Sequence, residues 1–171
     1  AELDEMVRCA LRSPDHARLQ PWRFVSFRGE ALGDLGQRLE TSLLRSKPDA
    51  DEALRTKARN APLRAPLVVA VLARLSEHPK VPLWEQVVSA GCAAFSMELA
   101  AEALGYAAIW RTGSFSEDDQ LARELGGEGD HRIVAFLYFG TPACRLKAVP
   151  EPEPDEFHTR WSASGASAKS Q

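Results

Sequence analysis

Hydrophobic and polar positions along the chain follow two periods, and these predict helices and strands in alternation. Apolar residues at helical spacing, and one polar segment, predict helices over residues 2–12, 30–45, 50–59, 83–104 and 116–125. Strands are predicted over residues 22–28, 67–73, 107–111 and 133–139. The run 67–73 is continuously apolar, which is typical of a strand covered on both faces. The alternation alone favours a doubly wound parallel fold.

The predicted helix 83–104 has almost no polar face. Such a helix is buried in a large core or in an interface, and Glu85, Glu98 and Glu102 argue against a membrane span. Gly105 is expected as the residue that follows the helix in a left-handed conformation. Ser114 or Ser116 is expected to cap the helix 116–125.

Length and charge limit the kind of protein. The chain has 171 residues, of which 44% are hydrophobic and 26% charged, as in one globular domain. Its net charge of −3 argues against nucleic acid or an anionic membrane as the main partner. One domain is expected over residues 1–161, truncated at its N-terminus because Ala1 already lies in a helical pattern. Residues 162–171 are expected to be a disordered or vector-derived tail.

The cysteines and histidines indicate neither a disulfide framework nor a metal site. Cys9, Cys92 and Cys144 are odd in number and widely spaced, and the four histidines lack ligand spacing. Cys9 and Cys92 are expected to be small buried side chains. A reducing compartment, and hence a cytoplasmic protein, fits this pattern.

The loop between the first helix and the first strand is the first candidate site. Its Arg12 offers a planar donor fork and His16 a ring donor, next to the aromatic residues Trp22 and Phe24. This chemistry suits a flat anionic ligand such as FMN. Alternatively, Arg12 only closes the helix and His16 is solvated. Asp15 is expected to form the turn or to pair with Arg12, and Arg18 and Arg23 are expected to be surface charge.

Trp110, Arg111 and Thr112 form the second candidate site, at the end of a predicted strand. They could line the edge of a flavin, with main-chain N–H groups stabilising negative charge on it. Alternatively, Trp110 packs in the core and Arg111 pairs with a surface acid. Glu85 is expected to be a first-turn acid or part of a pocket wall. A solvated basic face is expected for Lys57, Arg59 and Arg64.

These segments carry a family resemblance. Arg-Ser-Pro-Asp-His at 12–16 and Gln-Pro-Trp-Arg-Phe at 20–24 resemble the FMN-dependent nitroreductase superfamily, most closely its small YdjA-like branch. Further blocks in the same order are Lys-Ala-Arg-Asn-Ala-Pro at 57–62, Trp-Glu-Gln at 84–86, Ser-Ala-Gly-Cys at 89–92, Ile-Trp-Arg-Thr-Gly at 109–113 and residues 136–142.

The resemblance implies an α+β fold instead of the parallel one: a three-layer αβα sandwich around a mixed, mostly antiparallel sheet. Two chains are expected to intertwine as a homodimer, with the helix 83–104 at the seam. FMN would lie at the subunit interface against Arg12, His16, Trp110, Arg111 and Thr112, with Arg12 and His16 often supplied by the partner. No dedicated catalytic side chain is expected, because hydride transfer to a flavin needs no carboxylate.

The implied activity is oxidation of NAD(P)H through FMN, with hydride passing to flavin N5 and then to a nitroaromatic, quinone or similar acceptor in a ping-pong cycle. A non-catalytic flavin-binding or electron-relay module is the alternative, and a purely structural dimerisation protein is a third hypothesis. Members of the family carry an Arg-Arg-Ser-type segment that grips the FMN phosphate, and residues 1–171 contain no equivalent. Either that segment has been lost or is not included in these residues, or this form binds FMN weakly. The chain is expected to occur without its flavin, because charge-assisted phosphate contacts contribute roughly several kcal/mol of cofactor affinity.

Overall fold

The computed structural model describes residues 1–144 and 148–161, so the tail predicted over residues 162–171 lies outside the described residues. Every predicted helix and strand is present. The helices are α1 (Glu2–Ala10), α2 (Glu30–Ser46), α3 (Glu52–Arg59), α4 (Leu83–Ala103) and α5 (Asp119–Gly126). The strands are β1 (Trp22–Arg28), β2 (Leu67–Leu75), β3 (Ala107–Arg111) and β4 (Asp130–Gly140).

The strands form one sheet in the order β1-β2-β4-β3, and each neighbouring pair is antiparallel. The α+β class and the mostly antiparallel sheet are thereby confirmed. The parallel fold that the alternation alone favoured is wrong, because helices between strands do not fix the direction in which those strands pair. No parallel pair occurs among the strands of the described residues.

Helices cover the sheet on both faces. Along β2, Val69 and Val71 pack in a core with α1 and α4, whereas Val68 and Leu72 pack in a second core with α2 and α5. All four side chains are fully buried. The continuous apolar run of β2 thus follows from its central place in three layers, as predicted.

Helix α4 has one buried and one exposed face. Its inner side is built from small residues such as Ala90, Ala93 and Ala94 together with Met97, which allow close packing on the sheet. The helix ends in a Schellman motif: Gly105, with a φ of +84°, and the residue after it donate back to the last turn. The predicted role of Gly105 is confirmed. Large apolar side chains remain exposed on the other face, so the core accounts for one face of the helix, and the predicted interface on the other face stays a prediction.

Two local predictions are wrong. Helix α5 is capped by the carboxylate of Asp118, which accepts from the N–H groups of Gln120 and Leu121, and not by a serine. Residues 114–117 form a separate 3-10 turn, so the helix begins later than predicted. Cys9 is exposed and Cys92 is half-buried, because both lie on outward sides of their helices.

No helix in residues 1–144 and 148–161 has the length and hydropathy needed to cross a bilayer. Nor do the same residues contain a cluster of three or more His, Cys, Asp or Glu suited to a metal ion.

Candidate functional site

The loop between α1 and β1 has an unusual backbone. Ala17, Arg18 and Gln20 have φ angles of 61°, 56° and 48°, in the left-handed region that costs a non-glycine residue about 1–2 kcal/mol. The carboxylate of Asp15 accepts hydrogen bonds from the N–H groups of Leu19, at 3.0 Å, and Gln20, at 2.9 Å. Asp15 therefore holds the turn, the first of its two predicted roles. Strain that is held in this way is common at functional sites.

Further hydrogen bonds fix the loop against its surroundings. The hydroxyl of Ser89 in α4 donates to the carbonyl of Pro14 at 2.6 Å, and the hydroxyls of Ser13 and Ser96 lie 3.3 Å apart. The guanidinium of Arg23 donates to two main-chain carbonyls at the end of the loop, at 2.9 and 2.7 Å. The prediction that Arg23 is plain surface charge is thus wrong, because it braces this loop.

The imidazole of His16 is oriented by Glu85. Nδ1 of His16 lies 2.8 Å from Oε2 of Glu85, and the ring is about half exposed. Glu85 is in the first turn of α4, where the helix dipole favours a carboxylate. The sequence placed Glu85 in that turn but gave no signal of this contact, since the two residues are 69 positions apart. The bond leaves Nε2 without a partner among the described residues.

Arg12 lies just beyond the end of α1, where its N–H group donates to the carbonyl of Cys9. Its side chain is exposed, and within the described residues its guanidinium makes no hydrogen bond or ion pair. Its position next to the helix C-terminus agrees with the alternative of a helix-closing cation. The same position leaves the donor fork available to a ligand.

Trp110, Arg111 and Thr112 end the edge strand β3 and lead into a turn at Gly113, whose φ is +89°. They line a cavity of about 580 Å³ between this strand and helices α2 and α3. Trp110 is 36% exposed, so it is not a core residue. The N–H groups of Thr112 and Gly113 donate no hydrogen bond within the described residues. Both therefore remain available to a ligand.

The same cavity is electropositive. Lys57, Arg64 and Arg111 line it, and none of its lining residues is acidic. The pKa of the Tyr138 phenol in its wall is raised by burial, and the charges of Arg111 and Arg64 oppose that shift. The predicted solvated basic face is wrong for Arg59, which pairs with Glu40 at 2.6 Å. Lys57 and Arg64 are exposed, as predicted, and both line the cavity.

The structure does not unite the two candidate clusters within one chain. His16 lines a smaller cavity of about 180 Å³ beside α4, and no described residue lines both this cavity and the larger one. The loop with Arg12 and His16 precedes β1, whereas Trp110 to Thr112 follow from β3, at the opposite edge of the sheet. Three strand spacings, about 14 Å in all, separate these edges.

Comparison with known proteins gives a family. The model of the Nitroreductase family matches residues 1–141. The chain is 41% identical over 156 residues to the "Putative NAD(P)H nitroreductase YdjA" of Escherichia coli (strain K12), covering 90% of this chain and 84% of that protein.

Solved structures agree on the fold. A nitroreductase-like family protein from Bacillus cereus has a TM-score of 0.72 at 18% identity, over 92% of this chain and 82% of that one. A nitroreductase with bound FMN from Bacteroides fragilis NCTC 9343 has a TM-score of 0.67 at 22% identity, over 88% of this chain and 82% of that one.

Proposed function

The chain belongs to the nitroreductase family, and we propose that it is an FMN-dependent NAD(P)H oxidoreductase acting on a nitroaromatic, a quinone or a similar flat acceptor. The observation that carries the proposal is the acid-free cavity at Trp110 to Thr112, which offers two free N–H groups and unpaired cations. Its volume of about 580 Å³ is within the roughly 300–1,000 Å³ of small-molecule sites. The FMN-bound relative supports the same cofactor.

The residues present fit FMN by their chemistry. A flavin is a flat ring with carbonyl acceptors along one edge and a phosphate at the end of its side chain. The N–H groups of Thr112 and Gly113 suit the ring acceptors, and the guanidinium of Arg12 suits a carbonyl or phosphate oxygen. When bound, FMN would supply the two-electron hydride chemistry between NAD(P)H and the acceptor.

In the proposed function, side chains and main-chain N–H groups of this chain would bind the flavin and polarise it. Glu85 holds the ring of His16 in one orientation, so Nε2 presents a fixed donor or acceptor. The N–H groups of Thr112 and Gly113 would stabilise negative charge on the edge of a bound flavin, because the fold already fixes their orientation. No side chain is assigned as a proton donor.

We further propose that the site is completed by a second copy of the chain. The outer face of α4 exposes a stripe of large apolar side chains at helical spacing: Trp84, Val88, Phe95 and Leu99. Unpartnered apolar faces of this kind mark association sites. Val149, Phe157 and Trp161, after the last strand, are also exposed. In such a dimer, the Arg12–His16 loop of one protomer would meet the Trp110–Thr112 cavity of the other.

The visible spectrum of the protein reconstituted with FMN tests this function. We expect a bound flavin that bleaches on anaerobic addition of NADH or NADPH and recovers its colour on addition of a quinone. Steady-state kinetics should be ping-pong. The double variant Arg12→Ala/His16→Ala should lose flavin, whereas Arg8→Gln on the exposed side of α1 should retain it.

Two results would count against the proposal. A flavin that binds but never bleaches would favour the non-catalytic flavin module. A protein that rejects added FMN would leave the fold without flavin chemistry.

A further inference from the structure

Two cations that line the large cavity have no acidic partner, unlike three arginines packed nearby. Arg45 pairs with Asp118 at 2.7 Å, and Arg55 and Arg59 pair with Glu40 at 2.9 and 2.6 Å. Lys57 lies on α3, and Arg64 lies in the 3-10 turn Ala61–Arg64 that follows it. By contrast with these arginines, neither residue makes an ion pair within the described residues. Their positive charges can therefore pair with an anionic group of a ligand in the cavity.

Arg64 also occupies a special position. Together with Arg111 and Tyr138 it lines both the 580 Å³ cavity and a neighbouring cavity of about 210 Å³. The three side chains therefore form the wall between two openings. The Tyr138 phenol is protonated near neutral pH, because its ordinary pKa is about 10 and burial raises that pKa further, so its hydroxyl can donate. A donor next to two guanidinium groups suits a carboxylate or phosphate oxygen.

The remainder of the larger cavity is apolar. Apolar side chains from helix α2, strand β4 and the turn after β3 also line it, namely Leu39, Leu43, Phe136 and Phe115. A ligand that satisfies both parts has a flat apolar body and one anionic group. A purely neutral aromatic would leave the cations unused.

We propose that Lys57, Arg64 and the hydroxyl of Tyr138 form an anion subsite, which selects acceptors that carry a carboxylate on a flat ring. The proposal rests on the proposed function, because it concerns the acceptor of that reaction. Arg111 is shared with the proposed flavin site, so it is left out of the test. The same cations could also receive a phosphate of the reductant or of FMN, and the experiment separates these sources.

The test compares two acceptors of similar size and shape, one anionic and one neutral; their other differences cancel when the same ratio is compared between variants. For 4-nitrobenzoate and 4-nitrobenzamide, kcat/KM is measured for the wild type, Arg64→Gln, Lys57→Gln and the control Arg123→Gln, which removes an exposed cation on α5. We expect the wild type to prefer the anion, and Arg64→Gln to reduce the benzoate-to-benzamide ratio about tenfold, as for one lost charge-assisted hydrogen bond. A ratio that Arg64→Gln and Lys57→Gln leave unchanged would overturn the proposal.

Two binding measurements keep the result independent of turnover. Calorimetry with 4-nitrobenzoate, with and without FMN, should show binding that Arg64→Gln weakens; this would support the subsite even if no reductase activity exists. For the same variants, we measure the affinity for FMN and the ratio of kcat/KM with NADPH to kcat/KM with NADH. If Arg64→Gln changes either of these and not the acceptor ratio, the cations hold a cofactor phosphate and the acceptor assignment is wrong.

Discussion

Replacing Gly36 by alanine should move the wall of the large cavity. Gly36 is a buried residue in the middle of α2, and a Cβ built on it would overlap the carbonyl oxygen of Arg59 at the end of α3. The carbonyl carbon would be only 3.1 Å away, whereas carbon atoms prefer about 3.5–4.0 Å. Helix α3 must then retreat, and Lys57 on that helix with it.

Gly33 on the same helix is the matched control, because a Cβ there meets nothing within 4 Å. Both substitutions gain roughly 1 kcal/mol of helix propensity, so the difference between the two variants isolates the overlap. We expect Gly36→Ala to be less stable than Gly33→Ala by about 1–3 kcal/mol, the usual cost of overpacking. Urea denaturation measures this difference. Equal stability of the two variants would refute the close approach of α2 and α3.

Three further predictions concern the loop, the acid stability and the association of the chain. Asp15→Ala should destabilise the protein by about 1–3 kcal/mol, since it removes two hydrogen bonds to a carboxylate. Asp15→Asn should lose less of the free energy of unfolding, and urea denaturation measures both variants. Hydrogen bonds from Arg59 lower the pKa of Glu40 from 4.5 to about 2. The ionised Glu40 therefore stabilises the folded protein fully above pH 4.5, and this stabilisation is lost as the pH falls toward 2. In Glu40→Gln, the free energy of unfolding should depend less on pH in that window. Phe95→Asp on the α4 stripe should give monomers in sedimentation, whereas Leu63→Asp, equally exposed at 56%, should not.

The sequence predicted the regular elements well because their signals are local. The strand β2 was visible in its continuous apolar run, and the end of α4 in Gly105. Element ends that depend on distant partners were missed. Strand β4 begins at Asp130, before its apolar residues, because Arg74 and Leu75 of β2 extend the pairing there.

The candidate site shows the same division. The residue types of the 12–24 loop and of residues 110–112 were visible in the sequence. The contact of His16 with Glu85 was not, because it joins segments far apart in the chain. The residue pattern did not indicate that the two clusters lie at separate cavities, although the family resemblance implied that Arg12 and His16 can come from a partner chain. The prediction that Lys57 and Arg64 are solvated agrees with their exposure, whereas the partner of Arg59 was missed, since only the packing of α3 against α2 brings Arg59 to Glu40.

Mixed dimers test the central claim, a flavin site shared between two chains. One chain carries Arg12→Ala/His16→Ala and the other Trp110→Ala/Arg111→Ala, and dimers containing one of each are isolated by two different tags. Because each variant spoils a different half of the site, we predict that neither variant alone holds FMN. The mixed dimer should regain one intact site, with a flavin spectrum that NAD(P)H bleaches. Mixed dimers that remain as colourless as the parent variants would contradict the account.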